Sequence, residues 1–494
     1  MQYPAQYGLE LKKIIETYGQ NLSTKVSEKL AAFYPIQEDE SIADYLYCRS
    51  VTCPSCGERA PLLNAFALQK KSDGWMVLPK IEGFPGHKKV RFVPVRLKNG
   101  KGPNGEDPER GTVKGGVGTC IHCGQAIASD EIKRQACGES EYGTWSDDLY
   151  CVVAVRQQPK LDKDGNVMRY TSGPNKGQVR TEKVTFFREP TAEDYAALDR
   201  AKQALEENWD RWEEIDLIPT EKIPAGHKTA EPLRVGVERW CDMFTPRQLL
   251  GHLTAMEILH NMMPEILAEH GQEKGTAIIT YLQYMIDKCI DYNSRQTRWI
   301  AQRGSVSGTF SRHDFSLKWT FGELIYTGPY SGLSWGKSQI LDAYSGICKL
   351  IQPSHAKPAT VLNGSAANMN IPDKSVNIVC VDPPYYNNVQ YAELSDYFYV
   401  WQKRTFRDLY PDVYKTDHFV EVTEDVLETI RSAERAEAAY DRRMYRYKAH
   451  YSLDCDNGIE NAILLKPQAP EMLLEEKQLR EQLYAAVMKL PEKQ

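Results

Sequence analysis

Two groups of residues in this chain have the types and spacing to do chemistry. The first is Asp382-Pro383-Pro384-Tyr385, followed at once by Tyr386, Asn387 and Asn388. An amine conjugated to a nucleobase ring is a poor nucleophile, because its lone pair is delocalised. The Asp382 carboxylate and the Pro383 backbone carbonyl can each accept one N–H of such an amine. That favours a pyramidal nitrogen whose lone pair points at a methyl donor. The two prolines leave the carbonyl fixed and unpaired, so the acceptor is preorganised. Tyr385 suits stacking on a base flipped out of a duplex, and Tyr386, Asn387 and Asn388 extend the same pocket. A chemically silent Pro-Pro turn is the plainer alternative.

The second group is cysteine. Of twelve cysteines, four form two tight pairs, Cys53/Cys56 in CPSC and Cys120/Cys123 in CIHC. Two residues between thiols let one turn present both sulfurs to a single metal ion, and two such turns complete a closed tetrahedral S4 site, which is structural. The 63 residues between Cys56 and Cys120 are more than a ribbon needs, so the ribbon carries a large insertion. Gly57 and Gly124 directly follow the pairs, where a positive φ is often required. A redox dithiol would need one CxxC beside a βαβ unit, and neither pair has that setting. His122 lies inside a knuckle and is read as a bystander. Cys48 and the other single cysteines (Cys137, Cys151, Cys241, Cys289, Cys348, Cys380, Cys455) are read as small buried hydrophobes.

The elements that must position these groups follow from periodicity. SVNIVCV before Asp382 places Val376, Ile378, Val379, Cys380 and Val381 in a short apolar run suited to a buried parallel strand. The prolines end it, which puts Asp382 at the carboxyl edge of a sheet, where open α/β folds bind ligands. A helix near 337–350 precedes the strand and YAELSDYFYVWQKR (391–404) follows as another, its aromatic stripe read as packing. Upstream, apolar spacing predicts a helix over 8–34. Thr191, with Asp194 three residues on, opens a helix through Asp210 by a capping box. TPRQLL begins a helix over 244–270 with Pro246 at its first position, and a further helix covers 276–292. KLDKDGNVMRY reads as a hairpin turn, its spacing being wrong for a calcium loop. Residues 300–340 read as loops and short strands. Charged helices are predicted over 421–450 and 470–490.

Length and composition bound the rest. A chain of 494 residues, 41% hydrophobic and 26% charged, is large enough for two to four structural units. Its mean hydropathy of −0.53, and the lack of any apolar stretch near twenty residues, argue against a membrane span. The N-terminus has no secretory pattern, which predicts a cytoplasmic protein. The net charge of −6 does not advertise a nucleic-acid binder, yet 69–114 holds 11 Lys and Arg against 5 Asp and Glu. Such a local excess serves either phosphate contact or a solvated surface insertion.

With these residues in view, the chain resembles the bacterial and archaeal adenine-specific DNA methylases that contain a zinc ribbon. The resemblance runs from about residue 5 to 415, through SVTCPSCG, the second CxxC, RWCDMFTPRQLL, DYNSRQTRW, FSLKWTFGE and IPDKSVNIVCVDPPYYNNVQYAELSDYFYVW. It implies that Asp382, Pro383, Pro384 and Tyr385 are the catalytic motif, and that Asn363, Gly364 and Ser365 lie beside the adenosine of S-adenosylmethionine. Many methyltransferases carry an acidic residue at the last of these positions; here it is Ser365. Family members also carry, before the opening helix, a glycine-rich loop that holds S-adenosylmethionine. The glycine clusters of this chain, GKGPNG and VKGGVG, lack the flanking strand and helix. The resemblance therefore implies a companion polypeptide that supplies the loop.

The expected architecture is α/β: an incomplete Rossmann-like methyltransferase sheet with an inserted zinc-ribbon module and extra helices. The segments are 1–47, an N-terminal helical part; 48–155, the ribbon with its basic insertion; 156–300, hairpin and helices; 301–410, the catalytic half; and 411–494, a charged helical tail. The expected function is N6-adenine methylation of double-stranded DNA with S-adenosylmethionine and a structural zinc, in restriction–modification or phage defence by analogy. Two alternatives are a zinc-containing DNA- or partner-binding subunit without complete catalysis, and a methyltransferase for cytosine N4, RNA or a protein amide.

Overall fold

The computed structural model describes residues 2–35, 40–315, 318–328, 331–351, 369, 371–381 and 389–414. The motif residues Asp382, Pro383, Pro384, Tyr385, Tyr386, Asn387 and Asn388 lie outside the described residues. So do Asn363, Gly364 and Ser365, Cys455, and both predicted tail helices. The described residues up to Tyr414 cluster as one compact unit.

The chain opens with helix α1 (Gln2–Leu30), which extends the expected helix toward the N-terminus and breaks at Gly8, whose φ is +53°. Leu11, Ile15, Leu22, Val26 and Leu30 are buried at helical spacing, whereas Leu9 faces outward. Strands β1 (Ser41–Thr52), β2 (Arg59–Leu62), β3 (Ala67–Gln69), β4 (Trp75–Glu82), β5 (Lys89–Arg96), β6 (Val113–Lys114), β7 (Val117–Thr119) and β8 (Ala126–Ile127) follow. Helix α2 (Ser129–Ala136) leads into β9 (Ser146–Pro159) and β10 (Thr181–Arg188). Helices α3 (Ala192–Glu214), α4 (Ala230–Leu233) and α5 (Pro246–Tyr292) precede β11 (Arg298–Ile300), β12 (Ser305–Ser307) and β13 (Thr320–Leu324). Helices α6 (Gly332–Ile351) and α7 (Tyr391–Phe406) complete the described elements.

The central sheet runs β10-β9-β1-β13, with β2 also paired to β1, and every pairing is antiparallel. Strand alternation divides its residues between two cores. Tyr45, Tyr47, Leu149 and Val152 join the large core made by α1, α3, α5, α6 and α7, while Leu46, Cys48, Tyr150, Cys151 and Val153 face a second core with Leu68, Val77 and Phe92 of the β3-β4-β5 sheet. A third cluster, from Val51 to Ile132, surrounds the cysteine pairs.

Several local expectations hold. Thr191 and Asp194 form the capping box of α3, and Pro246 lies in the first turn of α5, where Thr245 and Gln248 add a capping box beyond those expected. The two helices expected over 244–292 are halves of α5, separated at Gly271 (φ +75°). KLDKDGNVMRY is a turn, with the Asp162 carboxylate accepting from the Asp164 and Asn166 backbone N–H groups.

The buried strand before Asp382 is a correction. Residues 371–381 contain no strand, and Ile378 and Val381 are 82% and 75% exposed. An apolar run is buried as a strand only where neighbours take its N–H and C=O groups, and no described strand lies beside this one. The sheet that the described residues do form is antiparallel, so a Rossmann-like parallel sheet is not seen among them. Cys137 and Cys380 also depart from expectation, being exposed. Among the described residues no helix is long and apolar enough to cross a membrane.

Candidate functional site

The two cysteine pairs, 63 residues apart in sequence, meet in space. Their four Sγ atoms lie within 4.8 Å of one another, with Cys53–Cys123 at 3.8 Å and Cys56–Cys120 at 3.7 Å. Four sulfurs around one ion at the usual zinc–thiolate bond length stand about 3.8 Å apart, so the set could hold a metal ion. The two turns are built alike. Gly57 N–H donates to the Cys53 carbonyl and Gly124 N–H to the Cys120 carbonyl, each at 2.8 Å. Those glycines have φ of +73° and +75°, the left-handed region expected of them. Cys53 N–H and Cys120 N–H in turn donate to Glu58 O and Gln125 O. At Cys123, the Gln125 backbone N–H holds the thiol below its usual range.

His122 is not among the grouped ligands: its Nε2 lies 2.9 Å from the Arg59 carbonyl. Cys48 packs in the second core, away from the cluster. The knuckles are held from below by Gln135, whose side chain accepts from Thr52 N–H at 2.7 Å and donates to Thr52 O at 2.8 Å. This support is not legible from the CxxC spacing.

The motif residues from Asp382 to Asn388 are followed by α7, which is firmly positioned. The Glu393 carboxylate accepts the backbone N–H groups of His227, Lys228 and Thr229, at 2.9, 2.7 and 3.0 Å. Gly226 permits that approach, since a Cβ there would sit 2.5 Å from the carboxylate. Tyr397 OH donates to Ile290 O at 2.9 Å, and Tyr397 and Trp401 are buried, so that part of the aromatic stripe is packing as expected, whereas Tyr391 and Tyr399 are exposed.

Between α7 and the second half of α5 lies a shallow, open hollow of about 520 Å³, lined among others by Tyr284, Asp287, Asp291, Asp396, Phe398 and Tyr399. Burial pushes the Asp287 carboxyl up to about 7, opposed by side-chain amides of Gln283 and Gln402 that donate to it at 2.8 and 2.7 Å. Burial also raises Asp291, and burial together with the nearby Glu393 raises Asp396. A carboxyl with an affinity near neutrality can give or take a proton at working pH, and aromatic walls suit a planar ligand.

The other quoted stretches converge on a buried polar network. Arg247 of TPRQLL donates to both oxygens of Glu323, at 2.6 and 3.1 Å, and lies 4.0 Å from the Tyr45 ring centroid. Tyr47 OH donates to the same carboxylate at 2.7 Å. Asn293 of DYNSRQTRW pairs with β13 through Leu324 N–H and C=O, each at 3.0 Å. His252 bridges Tyr326 OH and Asn293 O, and burial lowers its pKa to about 3, so it is neutral. These segments lock both ends of α5 to the sheet edge, a structural role that spacing alone does not reveal. No protein-family model, curated protein or solved structure matches the chain.

Proposed function

We propose that this chain is the base-binding part of an S-adenosylmethionine-dependent DNA methyltransferase acting on adenine N6. The observation that carries the proposal is the sequence Asp382-Pro383-Pro384-Tyr385, separated by five residues from the start of the anchored helix α7. Asp382 and the Pro383 carbonyl hold the two N–H groups of the adenine amine, and Tyr385 stacks on the extruded ring. S-adenosylmethionine, when bound, supplies an electrophilic methyl. The aromatic and carboxyl-lined hollow beside α7 supports the reading, because it offers a planar ligand stacking surfaces and proton acceptors, and its Asp396, Phe398 and Tyr399 follow the motif closely in sequence. Zinc fits the four cysteines by donor set and spacing; Cys53, Cys56, Cys120 and Cys123 would hold it with four sulfur ligands as a structural ion.

A companion polypeptide that completes the cofactor site and a parallel, Rossmann-like sheet is part of the proposal. The exposed apolar run Val376, Ile378, Val379 and Val381 favours it, since added strands would bury those side chains. The test is methyl transfer from labelled S-adenosylmethionine to adenine-bearing duplex DNA by the chain expressed with its genomic neighbours. Asp382→Ala is expected to lower transfer by about 10²–10³-fold with folding intact. Transfer at the wild-type rate by that variant, or no transfer with any neighbour, overturns the proposal.

A further inference from the structure

Part of the basic insertion that sequence leaves open between phosphate contact and plain solvation folds as the β4–β5 hairpin of the three-stranded β3-β4-β5 sheet. The proximal half of the β4–β5 hairpin is packed down, with Met76, Val77 and Phe92 buried. The distal half is less covered, although Val90 packs against the second core. From Lys80 to Arg91 it carries four cations against one carboxylate, and Lys80, Lys89 and Arg91 are exposed. The register places Lys80 opposite Arg91 and Glu82 opposite Lys89, so these four share one face. Arg91 is committed to Glu82 and Glu189, whereas Lys80, Lys88 and Lys89 form no ion pair among the described residues.

At the tip, Phe84 is 66% exposed and Ile81 44%. Single exposed apolar side chains are common on protein surfaces, so exposure alone assigns nothing. The tip, however, is tied by local hydrogen bonds. Gly83 has φ +100°, and a Cβ there would meet the His87 carbonyl oxygen at 2.4 Å, while Gly86 has φ +87°. His87 N–H donates to Phe84 O at 2.9 Å, and the two rings meet edge-on at 4.9 Å. Most telling is Glu58, the residue after the first knuckle. Its carboxylate accepts Gly86 N–H at 2.7 Å and Lys88 N–H at 3.0 Å. The cysteine cluster therefore fixes the angle at which the hairpin tip is presented.

We infer that the β4–β5 hairpin is a duplex-DNA contact in which Lys80, Lys88 and Lys89 meet phosphates and Phe84 wedges against a base step. An exposed aromatic beside cations that form no ion pair among the described residues is the chemistry of side chains that enter the minor groove, unstack a step and kink the duplex. Phosphate is the complement of three unpaired lysines; an acidic protein surface would satisfy them too, but would leave Phe84 without a stack. This contact deepens the DNA-methylating reading yet stands on separate residues. Binding is read without S-adenosylmethionine, whereas transfer is read through Asp382, so either can fail alone.

The experiment uses the full chain, with metal content and circular dichroism matched between variants. Fluorescence anisotropy of a labelled 30-base-pair duplex is followed over a range of salt, and a 2-aminopurine probe reports unstacking. Lys88→Glu/Lys89→Glu is expected to weaken binding about tenfold or more and to flatten the plot of log affinity against log salt by about two. Phe84→Ala is expected to keep the salt slope, lose about tenfold in affinity and abolish the 2-aminopurine signal, with Phe84→Trp restoring both. Wild-type affinity and slope in the lysine variant, an unchanged 2-aminopurine signal in Phe84→Ala, or no duplex binding by the native chain overturns the inference.

Discussion

Burial alone pushes the Asp44 carboxyl up to about 7. Asp44 sits in β1, opposite Leu324 on one side and Val153 on the other. A carboxyl whose affinity for protons is higher folded than unfolded gives stability that is complete below its unfolded value near 4 and is lost as pH rises toward 7. Asp44→Asn removes the ionisation and keeps the shape. Its stability advantage over the native chain should therefore grow by about 2 kcal/mol or more between pH 4 and pH 8. Urea denaturation at the two pH values measures this, and an equal difference at both contradicts it. Nothing in SIADYLYC announces the effect, because an aspartate in a strand reads as a solvent-side residue until the sheet is covered on both faces. The cysteine pairs are the opposite case. Their chemistry is written in local spacing, so the ligand set was legible although the insertion between them is long.

At the scale of elements, what was legible is what local sequence determines. The capping box at Thr191, the first-turn Pro246, and helices α6 and α7 follow from short-range rules. The run from Val376 to Val381 shows the limit: its apolar pattern suits a buried strand, but only partner strands could make it one. Anchorage of α7 was equally hidden, since Glu393 reaches a loop more than 160 positions away in the sequence. Burial works to raise the Glu393 carboxyl, yet three backbone N–H groups hold it below its ordinary value. A depressed carboxyl contributes above its unfolded value near 4.5, and that contribution is lost as pH falls through the folded value. Glu393→Gln can accept fewer of those N–H groups. It should cost about 1–2 kcal/mol at pH 7 and progressively less below pH 4.5. Thermal melts across that range test it, and a cost that grows on acidification speaks against the anchor.

Across the whole unit, three hydrophobic clusters differ greatly in what they can support. The first holds the buried faces of α1, α3, α5, α6 and α7, and it is reinforced by the Arg247–Glu323 pair. The third has eight buried members among the described residues, Val51, Cys53, Ala60, Leu62, Val113, Cys120, Ile127 and Ile132, two of them candidate metal ligands, with Trp145 and Trp319 partly buried against them. So few apolar side chains do not offset the entropy of ordering β6, β7, β8 and the two knuckles, and metal binding becomes part of the folding free energy there. Glu58 carries the consequence onward to the tip of the β4–β5 hairpin through the Gly86 and Lys88 amides. Chelation, or Cys53→Ser with its lowered metal content, should therefore raise hydrogen exchange in 53–62, 113–127 and the amides of Gly86 and Lys88. The amides of α5, buried in the first cluster, should stay protected. Cooperative loss of protection through α5 would show that the cysteine cluster supports the whole unit, and unchanged exchange at Gly86 and Lys88 would sever the link between metal and hairpin on which the DNA contact depends.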